Sequence, residues 1–201
     1  MLARRTTLLL CGLALYGFSL TLLLRADLGL DPWDVFHQGL ADTVGLSLGT
    51  TIVLTSFAVL ALWIPLRERP GVGTVANAVL VGLGVEVFLV VIPDVDELWL
   101  RWLLLVLGIV GNGIATGMYI GAGMGPGPRD GLMTGIARRR GSIRVVRTSI
   151  ELAVLVTGIL LGGTFGIGTI AYAISIGPLA QIFLPIFTRI GVTPRRRPVI
   201  V

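Results

Sequence analysis

The chain contains no lysine. All sixteen basic residues are arginines, against eleven acids, for a net charge of +5 over 201 residues. Charged residues of both signs make up 13% of the sequence, about half the share in a soluble domain. The only cysteine, Cys11, excludes an internal disulfide and a cysteine zinc cluster. It is expected to be a small apolar packing residue. The only histidine, His37, has no cluster of further ligands around it in sequence, so no metal is expected. No Gly-x-Ser-x-Gly, no His-Glu-x-x-His, no Walker loop and no pair of intramembrane aspartates is expected. The chain is therefore expected to be no enzyme, to need no cofactor and to have no ATP coupling of its own.

What fills the sequence instead is apolar: 54% of residues are hydrophobic and the mean hydropathy is +0.92. Six stretches are long enough to cross about 30 Å of hydrocarbon as helices. They lie near 6–24, 48–66, 72–92, 102–121, 146–163 and 168–188. The first resembles a signal peptide in having Arg4 and Arg5 before an apolar run. It is long enough to span, and no convincing cleavage site follows before Arg25, so it is read as a retained helix.

The arginines give an orientation. With the N-terminus in the cytoplasm, fourteen lie inside and only Arg25 and Arg101 outside. Residues 129–147 and both termini are then cytoplasmic, and 25–45 and 94–100 face outward. This excess of positive charge on one side argues for a multi-pass membrane protein rather than a nucleic-acid binder. The run Arg195–Arg197 is expected to favour anionic lipid headgroups at the cytoplasmic face.

The chain also repeats itself. Residues 26–45 overlay 122–141 without a gap, at a shift of 96. Seven of the twenty positions are identical, where about two would match by chance. Further on, 73–89 overlays 168–184 at a shift of 95, and Arg5, Gly12 and Gly17 fall on Arg101, Gly108 and Gly113. Residues 1–96 and 97–201 thus read as two copies of a three-span unit within one membrane domain. Three is odd, so the second copy starts on the opposite side and must be inverted. The expected fold is all-α: six main spans in a 3+3 inverted repeat, with two short helices after spans one and four.

Those short helices, near 32–44 and 128–139, open on the repeated motif. Gly29, Pro32 and Asp34 return as Gly125, Pro128 and Asp130. Asp31 is a good N-cap and Pro32 suits the first helical position. In the second copy Gly127 stands as the cap before Pro128. Asp34 then meets the free N–H groups and the positive end of the helix dipole. On the first helix Trp33, Phe36, Leu40 and Val44 form an apolar stripe, with Asp34, His37 and Gln38 on another face. Two readings are open. The aspartates cap interfacial helices, or the helices dip inward from opposite sides and their tips line a shared cavity, as broken helices do in inverted-repeat transporters.

The blocks 28–49 and 123–136, with their Pro-Trp-Asp and Gly-Pro-Arg-Asp-Gly cores, resemble the paired signatures of the YczE-like group of bacterial integral membrane proteins, within the YczE/YyaS/YitT grouping. With the flanking spans the resemblance covers nearly the whole chain. It implies a multi-spanning membrane protein, and supplies neither a substrate nor catalytic residues.

Polar residues within spans complete the candidates. Glu151 is expected to pair with Arg144 or Arg147. Glu86 has no arginine within a turn or two, and its counterpart is Gln181. Asn77 and Asn112 are weaker candidates. His37 is read as an interfacial polar residue ahead of a proton relay with Asp34. Gly113, Gly117 and Gly121, and Gly158 with Gly162, are assigned to internal packing ahead of self-association, which leaves a homo-oligomer open. The candidate substrate path is Asp34, Trp33, Arg129, Asp130, Glu86 and Gln181. Gly29, Pro32, Gly125 and Pro128 shape the motif. The leading function is passage of a small solute, with an apolar part and an anionic group if Trp33 and Arg129 share a cavity. The alternatives are a non-transporting factor that supports other membrane proteins and, third, an intramembrane enzyme.

Overall fold

The computed structural model describes residues 2–191, with Arg140 described by its backbone alone. The expectations for Arg195–Arg197 and the C-terminus lie outside the described residues. Nine helices and no strand occur among those described: α1 (Leu2–Ala26), α2 (Pro32–Val44), α3 (Leu48–Ala61), α4 (Trp63–Leu66), α5 (Val72–Val91), α6 (Leu98–Gly121), α7 (Pro128–Arg140), α8 (Ile143–Leu160) and α9 (Ile167–Gly191).

Five of these segments are long and apolar enough to cross a membrane: α1, α3 continued through α4 (Leu48–Leu66), α5, α6 and α9. The expected sixth span has its helix, α8, but Arg144, Arg147 and Glu151 fall within its eighteen residues and keep it out of that set. Glu151 does pair with Arg147, at 2.8 Å.

Helices α1 and α6 form the centre and run antiparallel. Gly12 faces Met118 and Tyr119, while Gly108 faces Leu23. At each end an arginine closes the pair. Arg5 Nε donates to the Ala122 carbonyl at 2.7 Å and its Nη2 to that of Gly123. Arg101 Nε donates to the Ala26 carbonyl at 2.7 Å and its Nη2 to that of Asp27. These four carbonyls follow or end helices, where acceptors have no intrahelical donor, so a guanidinium satisfies them. The loops also hold the next helices in. Gly168 N–H donates to Leu28 O at 2.7 Å, and Gly73 N–H to Met124 O at 2.8 Å. Gly29 and Gly125 adopt φ of 112° and 125°, values open to glycine, where the loops turn inward.

Helix α5 packs on α1 and α3, and α9 on α6. Gly113, Gly117 and Gly121 seat Leu179, Phe183 and Phe187 of α9, so that small-residue face is internal packing. Gly158 lies against the backbone of Phe36 on α2 in the same way. Gly162 is instead a turn residue beyond α8, with φ of 91° and no neighbour. Cys11 departs from expectation: it is exposed on the outer side of α1 and packs in no core. The two arginines expected to face outward are each matched to an acid, Arg25 to Asp94 and Arg101 to Asp27.

Candidate functional site

Helix α2 starts as its sequence dictates. Asp31 is the N-cap, and its Oδ1 accepts from the N–H groups of Trp33 at 2.8 Å and Asp34 at 2.9 Å. Pro32 fills the first position, where no donor is needed. Gly45 ends the helix in the left-handed conformation, with its N–H on Ala41 O. Helix α7 starts on Gly127 and Pro128, with no side-chain cap.

Helix α2 is buried on both faces at its start: Trp33, Asp34 and His37 are 6%, 0% and 2% exposed, while Val44 at its far end is 52% exposed. The polar face looks into the protein. His37 is therefore no interfacial residue. Its Nδ1 lies 2.9 Å from Asp34 Oδ1. Asp34 does not cap its helix either, because Asp31 already does so.

The first turns of α2 and α7 meet. Arg129, the second residue of α7, crosses to α2. Its Nη1 lies 3.5 Å from Asp31 Oδ1, and its guanidinium sits 5.6 Å from the centroid of the Trp33 ring. Its Nη2 donates to Tyr16 Oη of α1 at 3.0 Å. At about 1.5 Å of rise per residue, Tyr16 lies about 16 Å from Arg5 and about 15 Å from Ala26. Arg129 thus reaches the middle of the bundle and does not sit at a surface with the other arginines. It has to be dropped from the arginine count that sets orientation.

Trp33 is buried with Val59, Trp63, Leu132 and Met133, a cluster shared by α2, α3, α4 and α7. Trp63 Nε1 donates to Pro128 O at 3.1 Å, pinning the tip of α7. Asp130 accepts from the hydroxyl of Tyr119. Tyr16, Asn77, Tyr119, Gly127, Pro128, Arg129 and Asp130 line a polar cavity of about 30 Å³ at this tip. That is room for little more than water.

Of the residues expected on a substrate path, Trp33, Asp34, Arg129 and Asp130 are at the two tips. Glu86 and Gln181 are not. Glu86 Oε1 accepts from Gly49 N–H at 2.7 Å, at the start of α3. It serves the free donors and positive end of that helix. Gln181 is exposed on α9. Tyr16, Tyr119 and Asp31's bond to Arg129 were not foreseen. The repeat held a signal: Tyr16 overlays Asn112 and Asn77 overlays Tyr172. Tyr172 donates to Asn112 Oδ1 at 3.1 Å, while Tyr16 and Asn77 line the cavity.

The expectation of no enzyme motif needs one correction. Gly45-Leu46-Ser47-Leu48-Gly49 matches the Gly-x-Ser-x-Gly pattern of serine hydrolases. Ser47 is the N-cap of α3, its hydroxyl is bonded to Thr50, and a helix rather than a strand precedes it. The strand-turn-helix elbow that exposes a nucleophile is therefore not present there. Among the described residues no three metal-ligand side chains converge.

A protein family described as "Family of unknown function (DUF6198)" matches residues 3–185. An uncharacterized protein of Haemophilus influenzae is 38% identical over 189 residues, covering 94% of this chain and 87% of its own. The uncharacterized membrane protein YczE of Bacillus subtilis is 33% identical over 187 residues, covering 92% and 87%. The uncharacterized protein YyaS of the same organism is 28% identical over 193 residues, covering 92% and 95%. No solved structure matches. The chain belongs to the DUF6198 family, and the expected resemblance to the YczE-like membrane proteins holds.

Proposed function

We propose that this DUF6198 member passes a small solute across the bacterial cytoplasmic membrane, through one site formed by two inverted three-span halves, residues 1–96 and 97–201. The observation that carries the reading is the meeting of the α2 and α7 tips at Arg129, midway along α1. Inverted-repeat transporters place their sites between helix tips of this kind, near the midplane. The inverted repeat itself is supported by reciprocal contacts. Arg5 and Arg101 each bind the loop after the other's helix, and their acceptors, Ala122 and Ala26, are again 96 apart. The sixth span is then α8, with Arg147 and Glu151 neutralising each other. With Arg129 removed, the sequence count that supports an inward N-terminus is still thirteen arginines to two.

The solute class follows from the same contacts. At equivalent positions of the two halves, the Arg129 guanidinium lies over the Trp33 ring, 5.6 Å from its centroid. An aromatic face beside a guanidinium suits a small solute with an apolar part and a carboxylate or phosphate. The 30 Å³ cavity makes this arrangement a closed state, so passage requires the tips to part.

The test is a thermal-stability screen of purified protein against small carboxylates and phosphates, followed by flux of any hit into proteoliposomes. Stabilisation and flux that are lost in Arg129→Gln support the reading. No response to any solute, together with a membrane protein that co-purifies stoichiometrically, would point to the supporting-factor alternative.

A further inference from the structure

Asp34 and His37 lie one turn apart on α2 and share its inward face. Their side chains are 1% and 3% exposed, and Oδ1 and Nδ1 are 2.9 Å apart. The other carboxylate oxygen, Asp34 Oδ2, is fully buried and has no partner. Burying an ionised oxygen without a donor is costly, so Asp34 at this position is more than a local cap.

The surrounding charges are already engaged. Arg129 on α7 faces Asp31 and Tyr16. Asp130 on α7 is bound by Tyr119 of α6. Arg147 on α8 is paired with Glu151, and Arg144 is exposed. Tyr172 on α9 bonds to Asn112. Helix α3 brings no acidic or basic side chain, and Asp42 at the far end of α2 is exposed. Asp31 faces Arg129. Asp34 is left with one side-chain partner among the described residues, His37, where burial and the Arg129 guanidinium oppose a proton and the Asp31 carboxylate favours one. Buried ions persist where they are paired.

We propose that Asp34 and His37 form a buried proton-binding pair that couples the motif site to protons. On binding, His37 Nε2 takes a proton from water. The imidazolium is then held by its Nδ1–H on Asp34 Oδ1, and release returns the proton to water. No bond between heavy atoms changes. The link to solute rests on the transport reading. An anion that draws Arg129 from Asp31 leaves excess negative charge on the first turn of α2, and a proton on His37 offsets it. Proton and anion then strengthen each other's binding by the same factor.

The single histidine makes the test direct. Protein made without a histidine tag and labelled with ¹⁵N-histidine, in lipid nanodiscs, gives one imidazole. Across the pH range in which the protein stays folded, that imidazole is expected to keep a proton on Nδ1 and to gain one on Nε2 in a single transition. Asp34→Asn lowers its proton affinity about tenfold or more, a shift of about one pH unit. Asp31→Asn, which leaves Arg129 unbalanced, moves the midpoint the same way and serves if Asp34→Asn does not fold. An imidazole that stays neutral throughout, or one whose titration neither variant moves, overturns the proposal. The measurement needs no solute, so it separates the two ideas. Solute flux with a non-titrating imidazole would sink the coupling and leave transport standing. A titrating pair in a protein that moves nothing would do the reverse.

Discussion

The two copies of the motif solve one problem differently. At α2 the cap is Asp31, whose carboxylate holds two first-turn N–H groups within the chain. At α7 the equivalent residue is Gly127, and no side chain takes that place. The polar cavity lies beside the second tip, not the first. The same Pro-x-Asp scheme therefore gives one tip that is closed on itself and one with room beside it. Arg129 ties them together, because it belongs to the open tip and touches the acid of the closed one. An unlike pair joining two similar helices gives the proposed site a direction, which a symmetric pair of caps would not.

The largest expected break in that comparison is Arg129→Gln. Removing the guanidinium leaves Asp31 buried without its cation and Trp33 without its stacking partner. Breaking a fully buried pair costs about 3–5 kcal/mol. Arg129 is 22% exposed on its side chain, so about 2 kcal/mol at neutral pH is expected, read by thermal unfolding in detergent. Arg129→Lys keeps the charge, loses the fork between Tyr16 and Asp31, and should fall between.

The next pair compares the two central helices. A methyl at Gly12 meets Met118 Cβ at 2.8 Å and the backbone N of Tyr119 at 2.9 Å. At Gly108 the nearest atoms are Leu23 Cδ2 and Cγ, at 2.7 and 2.8 Å, with the Ser19 carbonyl oxygen at 3.0 Å, so a turn of the Leu23 side chain relieves part of the crowding. Overpacking costs about 1–3 kcal/mol. Gly12→Ala is expected near the upper end and Gly108→Ala near the lower. Equal losses would mean that the two sides of the α1–α6 seam are equally rigid.

Much of this was legible from sequence. The eight expected helices all occur, because apolar length fixes spans and Asp-Pro and Gly-Pro fix helix starts. The pairing of Glu151 with Arg147 was readable from its i, i+4 spacing. What was not legible depended on depth and facing. Amphipathicity left α2 either at an interface or dipping inward, since periodicity shows that a helix has two faces but not which one is buried. Arg129 read both as a cytoplasmic topology signal and as a candidate for the shared cavity, because sequence cannot tell an arginine at a surface from one that reaches inward past a loop of glycines. Glu86 and Gln181 overlay in the repeat, yet one caps α3 and the other is exposed, since α3 packs on α5 while α8 packs on α2.

Exchanging the caps sharpens the comparison. Asp31→Ala should lose about 1 kcal/mol of stability through its two backbone bonds, in addition to what leaving Arg129 without its acid costs. Gly127→Ser adds a cap acceptor and is expected to change stability by only a few tenths of a kcal/mol. Its side chain enters the cavity, so it should still weaken any ligand response in the thermal screen. If Gly127→Ser binds as well as the parent, the open tip is not the ligand end. The smallest effect is expected from Glu86→Gln, which keeps an oxygen for Gly49 N–H and should unfold within about 0.5 kcal/mol of the parent. Glu86→Leu, which removes that acceptor, should lose about 1 kcal/mol.

The meeting of the two tips inside the protein is tested most directly by cross-linking in native membranes. In a Cys11→Ser background, cysteines replace Trp33 on α2 and Leu132 on α7, two members of one buried cluster. A short bifunctional thiol reagent is expected to join them within one chain, read as protection of the chain after cleavage at a protease site inserted between α3 and α5. No cross-link, with each cysteine reacting instead with impermeant reagent from an opposite side of the membrane, would contradict a shared interior site and leave two separate surface caps.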